Sequence, residues 1–331
     1  MGAGLPVAVY ALFLLSGLAL LAWSSDLFVD GSAALAKILG ISPFIVGMVV
    51  IGFGTSAPEL CVSVLSGFYG HANLSVGNAY GSCIFNIAVI VGVAALICPV
   101  SVRPTVAFVA APVLAAISLF SMWILGDGTC SRGDAAALLG AFTVILPLYC
   151  WLDNRTGGAA AQVEESGGAQ TSLRSAAAKT LLGLVVLVGS SYILVEGAVG
   201  IAKFFGVSDL LIGLTVVAVG TSLPELASAV AAARRQQHEF VFGNIVGSNL
   251  FNMLAVVGLA CAVSPATPSP YVLARDLPVT AAMSLAILVL GANWRSPGRA
   301  GVFGRGKAAL LLIAFAAYAV VMFMQETGGG R

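Results

Sequence analysis

Two glutamates, Glu59 and Glu225, sit inside long apolar runs, and each directly follows a proline. The hexapeptide Gly54-Thr55-Ser56-Ala57-Pro58-Glu59 recurs as Gly220-Thr221-Ser222-Leu223-Pro224-Glu225, 166 positions later. At the same offset Gly77-Asn78, Gly81-Ser82 and Phe85-Asn86 match Gly243-Asn244, Gly247-Ser248 and Phe251-Asn252. The register holds without a gap from Ser25/Ser191 to Gly92/Gly258, through Lys37/Lys203 and Gly40/Gly206. A proline lacks the N–H that a helix needs, and its ring clashes with the carbonyl one turn back. Nearby glycines remove the side-chain obstacle to unwinding. Carbonyls around Gly52 to Thr55, and around Ala218 to Thr221, are therefore expected to leave the helix ladder. Deep in an apolar medium they must find another partner or line a cavity. Thr55, Ser56, Thr221 and Ser222 add hydroxyls. Ser82 and Asn86, four residues apart, share one helix face, as do Ser248 and Asn252. Gly77, Gly81, Gly243 and Gly247 allow close backbone approach beside them. Every donor in this set is oxygen, which suits hard cations such as Ca²⁺ and Na⁺ rather than soft transition metals. Two glutamates facing each other would hold −2. An unpaired charge at mid-membrane costs about 2.5–3.5 kcal/mol on insertion scales, and one Ca²⁺ neutralises both.

Each feature alone has a plainer explanation. A membrane-helix proline is commonly a tolerated kink, a lone Glu can pair with a distant Lys, and small-xxx-small glycines usually serve packing. Kink, hydroxyls and carboxylate together, twice at one offset, are not explained by packing. They point to an ion site between two half-proteins.

The elements that position these groups follow from composition. The chain has 331 residues, 59% apolar and 9% charged, with mean hydropathy +1.03. Soluble domains carry about 25% charged residues, so this is an integral membrane protein whose partner is the lipid bilayer. A net charge of +1 gives no basis for nucleic-acid binding, and nothing in the sequence signals an obligate protein partner. The six cysteines form no CxxC pair, and His71 and His238 fall in short connections. Neither a zinc nor a haem site is implied, and no cofactor is expected. The first apolar run lacks the basic n-region of a cleaved signal peptide and reads as a spanning helix.

A crossing helix needs about 20 residues. Ten segments meet that measure: roughly 5–37, 42–69, 74–98, 104–126, 134–152, 174–204, 208–233, 240–264, 271–292 and 306–325. A polar, Gly-rich linker at 153–173 separates a first five-helix half, 1–152, from a second, 174–331. Because five is odd, the second half enters the membrane from the opposite side. The fold class is all-α, ten transmembrane helices as two inverted five-helix repeats, as in alternating-access carriers. With the N-terminus outside, inward loops collect eleven of the fifteen Lys and Arg, leaving Arg132, Lys203, Arg275 and Arg331 outside. The positive-inside rule then places both termini outside and the linker in the cytoplasm of a cell with an inner or plasma membrane.

The duplicated segments 42–92 and 208–258 resemble the two alpha-repeats of the sodium/calcium exchanger family within the cation/calcium antiporter superfamily. The short linker is similar to that of prokaryotic members, which lack the large regulatory loop of animal exchangers. The resemblance implies four sites in a diamond between the second, third, seventh and eighth helices. Glu59 and Glu225 with the carbonyls of Thr55 and Thr221 would hold Ca²⁺. Ser82, Ser222, Glu59 and the Ala218 carbonyl would hold an outer Na⁺; Ser248, Ser56, Glu225 and the Gly52 carbonyl an inner one. Asn86 and Asn252 would flank the centre, and the first and sixth helices would slide to switch access. Where potassium-dependent relatives carry an acid this chain has Asn252, which implies potassium independence. The Thr-Ser pairs resemble sodium-coupled members. Na⁺/Ca²⁺ exchange at three to one, moving one net charge, is the function implied. A Ca²⁺/H⁺ antiporter on the same scaffold remains open.

A passive channel fits less well with a pseudo-symmetric occluding core, and an intramembrane enzyme fits less well because neither histidine lies in a span and no GxSxG elbow is present. Of the other acids, Asp26, Asp30 and Glu196 read as interfacial anchors, Asp276 as the partner of Arg275, and Asp127, Asp134 and Asp209 as helix caps.

Overall fold

The structure is a computed structural model that describes residues 6–69, 72–155, 172–205, 218–265 and 267–328. In chain order the helices are α1 (Val7–Leu39), α2 (43–68), α3 (72–97), α4 (106–124) and α5 (Arg132–Arg155). The second half supplies α6 (Leu173–Phe204), α7 (218–234), α8 (238–263), α9 (272–291) and α10 (Arg305–Gly328). Among the described residues nine of them are long and apolar enough to cross a membrane. The remaining one, α7, is described from Ala218 onward, so the start of the expected 208–233 segment lies outside the described residues, as do Gly206, Asp209 and His71. The protein is an all-α membrane protein.

Packing between the halves repeats with the sequence. α3 of the first half lies against α10 of the second, and α8 of the second against α5 of the first. Gly92 on α3 meets Leu312, and its repeat mate Gly258 on α8 meets Leu139. α4 packs on α9, and α1 runs along α6. Wide π-turns recur as well, at Val106–Ala110 opening α4 and Val272–Asp276 opening α9. The repeat therefore continues past Gly92/Gly258, and the sequence carries it: Pro112-Val113 matches Pro278-Val279, and Ser118-Leu119 matches Ser284-Leu285.

The α1–α6 contact is built on four glycines. A Cβ on Gly17 would lie 2.7 Å from the Leu194 nitrogen, and one on Gly183 2.6 Å from the Phe28 nitrogen. Gly31 against Thr180 and Gly197 against Leu14 repeat this at 2.5 Å. These partners descend along α6 as they ascend along α1, so the helices are antiparallel. With backbone touching backbone there is no side-chain cushion, and the two helices form one body.

Two details differ from expectation. α5 runs on to Arg155, so the start of the linker is helical. Asp153 is buried there, accepting a hydrogen bond from the Ser42 hydroxyl and lying 3.7 Å from the Arg103 guanidinium. Linker residues 156–171 lie outside the described residues. The all-α reading also omits a short antiparallel ribbon, β1 (Val100–Val102) paired with β2 (Gly301–Phe303). It clasps the α3–α4 connection to the α9–α10 connection.

Replacing Gly183 by Leu should destabilise the protein by about 1–3 kcal/mol, because backbone cannot yield as a side chain does. Gly189→Leu on the same helix, where nothing lies within 4 Å, should leave the thermal midpoint in detergent unchanged.

Candidate functional site

α2 begins at a proline capped by Ser42, whose Oγ accepts from the Ile45 N–H at 3.2 Å. A π-turn follows at Gly47–Ile51, and the helix then continues through Pro58 to Phe68. The expected unwinding around Gly52 to Thr55 is thus corrected. The irregularity sits one turn earlier, where the wide turn absorbs the strain, and the Thr55 hydroxyl donates back to the Ile51 carbonyl at 2.9 Å. The second copy does break. Ser222 leaves helical geometry between Ala218–Thr221 and Leu223–Arg234. Pro224 then stands in the first turn of the new helix, where its missing N–H costs nothing. Glu225 follows in that first turn, at the positive end of the helix dipole.

These two irregular helices bring the acids together. Glu59 and Glu225 are each 1% exposed. The Ser56 hydroxyl of α2 donates to Glu225 Oε1 at 3.1 Å, and the Thr55 side chain also reaches that carboxyl. The Thr221 side chain of α7 reaches Glu59 in turn. Each half therefore serves the other half's acid. α8 lies close against α2 because Gly52 faces Gly247 and Ser248, where an added Cβ would fall 3.0 Å from Gly247 Cα. Gly47 faces Gly243 in the same way. For Gly77, the repeat gives the corresponding partner as 213, outside the described residues, and for Gly81 as Ala218.

Of the expected ligands, Thr55, Ser56, Glu59, Thr221 and Glu225 meet directly. Ser248 joins through Asn244, donating to its Oδ1 at 3.3 Å. Ser82, Ser222, Asn86 and Asn252 are buried on α3, α7, α3 and α8, and Ala218 opens the described part of α7. Asn86 and Asn252 stand at π-turns, Asn86–Ile90 and Phe251–Val256.

Three polar residues were missed by sequence reasoning. Asn244 Nδ2 donates to the Glu225 carbonyl at 3.1 Å and to Ser228 Oγ at 3.2 Å. Its repeat match with Asn78 was the available signal. Ser228 matches Val62 and Asn249 matches Cys83, so neither leaves a trace in the duplication. Asn249 Oδ1 accepts from Asn86 Nδ2 at 3.3 Å.

Several buried atoms here lack a hydrogen-bond partner among the described residues: Glu59 Oε2, Glu225 Oε2, Asn86 Oδ1, Asn249 Nδ2 and both amide atoms of Asn252. Orphaned carboxylate and amide oxygens are costly in a dry interior. Two acids, hydroxyls and amides gathered without a basic residue fit hard cations.

The remaining acids sit elsewhere. Asp134 Oδ2 accepts from the Ser131 N–H at 2.8 Å as a cap of α5, whereas Asp127, expected as a cap, instead accepts from the Thr129 N–H at 2.9 Å in the turn before α5. Asp276 pairs with Arg275 at 2.6 Å and accepts from the Tyr318 hydroxyl at 2.9 Å. Asp26 and Asp30 meet Arg235.

The family model described as sodium/calcium exchanger protein matches this chain twice, over residues 9–151 and 175–324. The inner membrane protein YrbG of Escherichia coli is 33% identical over 319 residues, covering 94% of this chain and 95% of that protein. The sodium/calcium exchanger MaX1 of Methanosarcina acetivorans is 29% identical over 355 residues, 96% of this chain and 99% of its own length. A solved structure of the sodium-calcium exchanger NCX_Mj soaked with Na⁺ and Sr²⁺ superposes with TM-score 0.79 at 29% identity, over 96% of this chain and 98% of that one.

Asn244→Leu should strip the Glu225 carbonyl and the Ser228 hydroxyl of a shared donor. A loss of about 1–3 kcal/mol is expected for orphaned buried groups, read as a lower thermal midpoint of the purified protein.

Proposed function

The chain belongs to the sodium/calcium exchanger protein family, and on that premise we propose that it exchanges Na⁺ for Ca²⁺ by alternating access, with Glu59 and Glu225 as ligands shared by both ions. It is a multi-pass membrane transporter for cation/calcium exchange, not an enzyme. The observation that carries the finer reading is the crossed arrangement of the acids. Each is buried and reached by hydroxyls of the opposite half, and each keeps one oxygen unpartnered among the described residues.

In this reading Ca²⁺ takes both carboxylates together with the Thr55 and Thr221 carbonyls. One Na⁺ takes Ser82, Ser222, Glu59 and the Ala218 carbonyl; its mirror takes Ser248, Ser56, Glu225 and the Gly52 carbonyl. The Ser56–Glu225 contact supports the second set. Asn86 and Asn252 offer neutral oxygens beside the centre. Exclusion follows from electrostatics: two carboxylates balance one Ca²⁺, and a site holding Ca²⁺ cannot also hold Na⁺ on the same oxygens. Three Na⁺ would leave the core at +1, so a three-to-one cycle moves one charge, worth about 2.3 kcal/mol per 100 mV. The neutral Asn252 supports potassium independence. The loop charges support an orientation with both termini outside and the 153–173 linker in the cytoplasm of a cell membrane, joining halves 1–152 and 174–331.

The test is ⁴⁵Ca²⁺ uptake into proteoliposomes. An outward Na⁺ gradient should drive it, and a potential positive inside should speed it, because each uptake cycle carries one net positive charge outward. Glu59→Gln and Glu225→Gln should each cut uptake at least about a hundredfold, since each leaves a buried charge arrangement unbalanced. Uptake driven by a pH gradient without Na⁺ would instead assign Ca²⁺/H⁺ antiport.

A further inference from the structure

The α1–α6 body does not obey the two-fold relation that the α3–α10 and α8–α5 contacts keep. Gly54 on α2 faces Leu184 of α6, where an added Cβ would lie 2.9 Å away. The repeat offset predicts that Gly220 on α7 faces Leu18 of α1, yet Gly220 meets Val195 of α6. α1 also packs along α7 far more extensively than its mate α6 packs along α2. The paired helices, locked to each other by glycines, therefore sit off the two-fold axis and seal against the end of α7. Applying the offset to these contacts gives the mirror position: Gly54 on Val29, Gly220 on Leu18, and α6 sealed along α2.

The two positions are not chemically equal. In the present one, Arg235 at the end of α7 pairs with Asp26 of α1 at 3.2 Å and with Asp30 one turn further on the same face. The mirror counterparts of Arg235, Asp26 and Asp30 are Tyr69, Tyr192 and Glu196. No cation stands where Tyr69 stands, so the mirror position offers no such ion pair.

We propose that Arg235 is a positioning residue for transport. Its pairing with Asp26 and Asp30 holds the α1–α6 body at the α7 end and tilts the access equilibrium toward this state. The inference rests on the alternating-access reading above and adds an asymmetry to it. In the orientation proposed there, the Arg235 end is cytoplasmic, so the resting bias favours the outward-facing state. The pair is half exposed, with 29% for Arg235 and 54% for Asp30. An exposed ion pair shifts an equilibrium modestly, here about twofold to fivefold, and added salt weakens it.

Hydrogen–deuterium exchange of the full-length protein, read by mass spectrometry in detergent without transported ions, tests this. Arg235→Gln should raise exchange at 229–237 and, reciprocally, lower it at 61–69 on α2, by about twofold to fivefold in population. Asp26→Asn combined with Asp30→Asn should reproduce the pattern, and Arg235→Lys should stay near wild type. Unchanged protection over 241–256 of α8 would verify that each variant is folded. A rise at 229–237 with no reciprocal fall at 61–69 overturns the proposal, because it marks mere local loosening. So does no change at either end. If the wild type itself shows no redistribution between Ca²⁺ and Na⁺, alternating access fails, which is a different result.

Discussion

Two carboxylates, from Glu59 and Glu225, are buried in the interior with no ion pair to a basic side chain among the described residues, and the remainder of the molecule is arranged around that expense. Glu225 is eased by the helix that begins beside it, and by Ser56 and Thr55 from across the two-fold axis. Glu59 is reached by Thr221. Those contacts satisfy one oxygen of each acid and leave the other without a hydrogen-bond partner among the described residues. A pair of acids left with unpartnered oxygens in this way favours a positively charged occupant.

Rigidity and looseness are divided between different contacts. Gly52 and Gly247 bring α2 and α8 to backbone distance at the acids, which holds the oxygens in place. The four glycines between α1 and α6 do the same for that pair. Between the α1–α6 pair and α2 or α7 the glycine contacts are side chain on backbone, Leu184 on Gly54 and Val195 on Gly220. Interfaces of that kind slide at less cost than interlocked backbones.

The duplication made much of this legible before any coordinates. The all-α membrane fold and the approach of Thr55, Ser56, Glu59, Thr221 and Glu225 follow from the matched hexapeptides and the apolar runs. What the sequence hid has specific causes. A proline announces strain but not where it is released, so the π-turn at Gly47–Ile51 was not foreseen, and only the second copy breaks at Ser222. Ser228 and Asn249 break the repeat, so a comparison of halves passes over them. The continuation through Pro112/Pro278 is written in small apolar residues that attract little notice. The β1–β2 ribbon is three residues a side, too short for any alternation to register.

The interlocking of the halves bears on how the chain is made. α3 packs in part against α10, and α8 in part against α5. Leu312, which covers Gly92, is synthesised 220 residues after it. Until α10 leaves the ribosome and inserts, Gly92 of the first half lacks that cover, with one acid already aboard. The first half thus finishes its packing with elements of the second, α5 with α8 and α3 with α10, rather than docking as a finished unit.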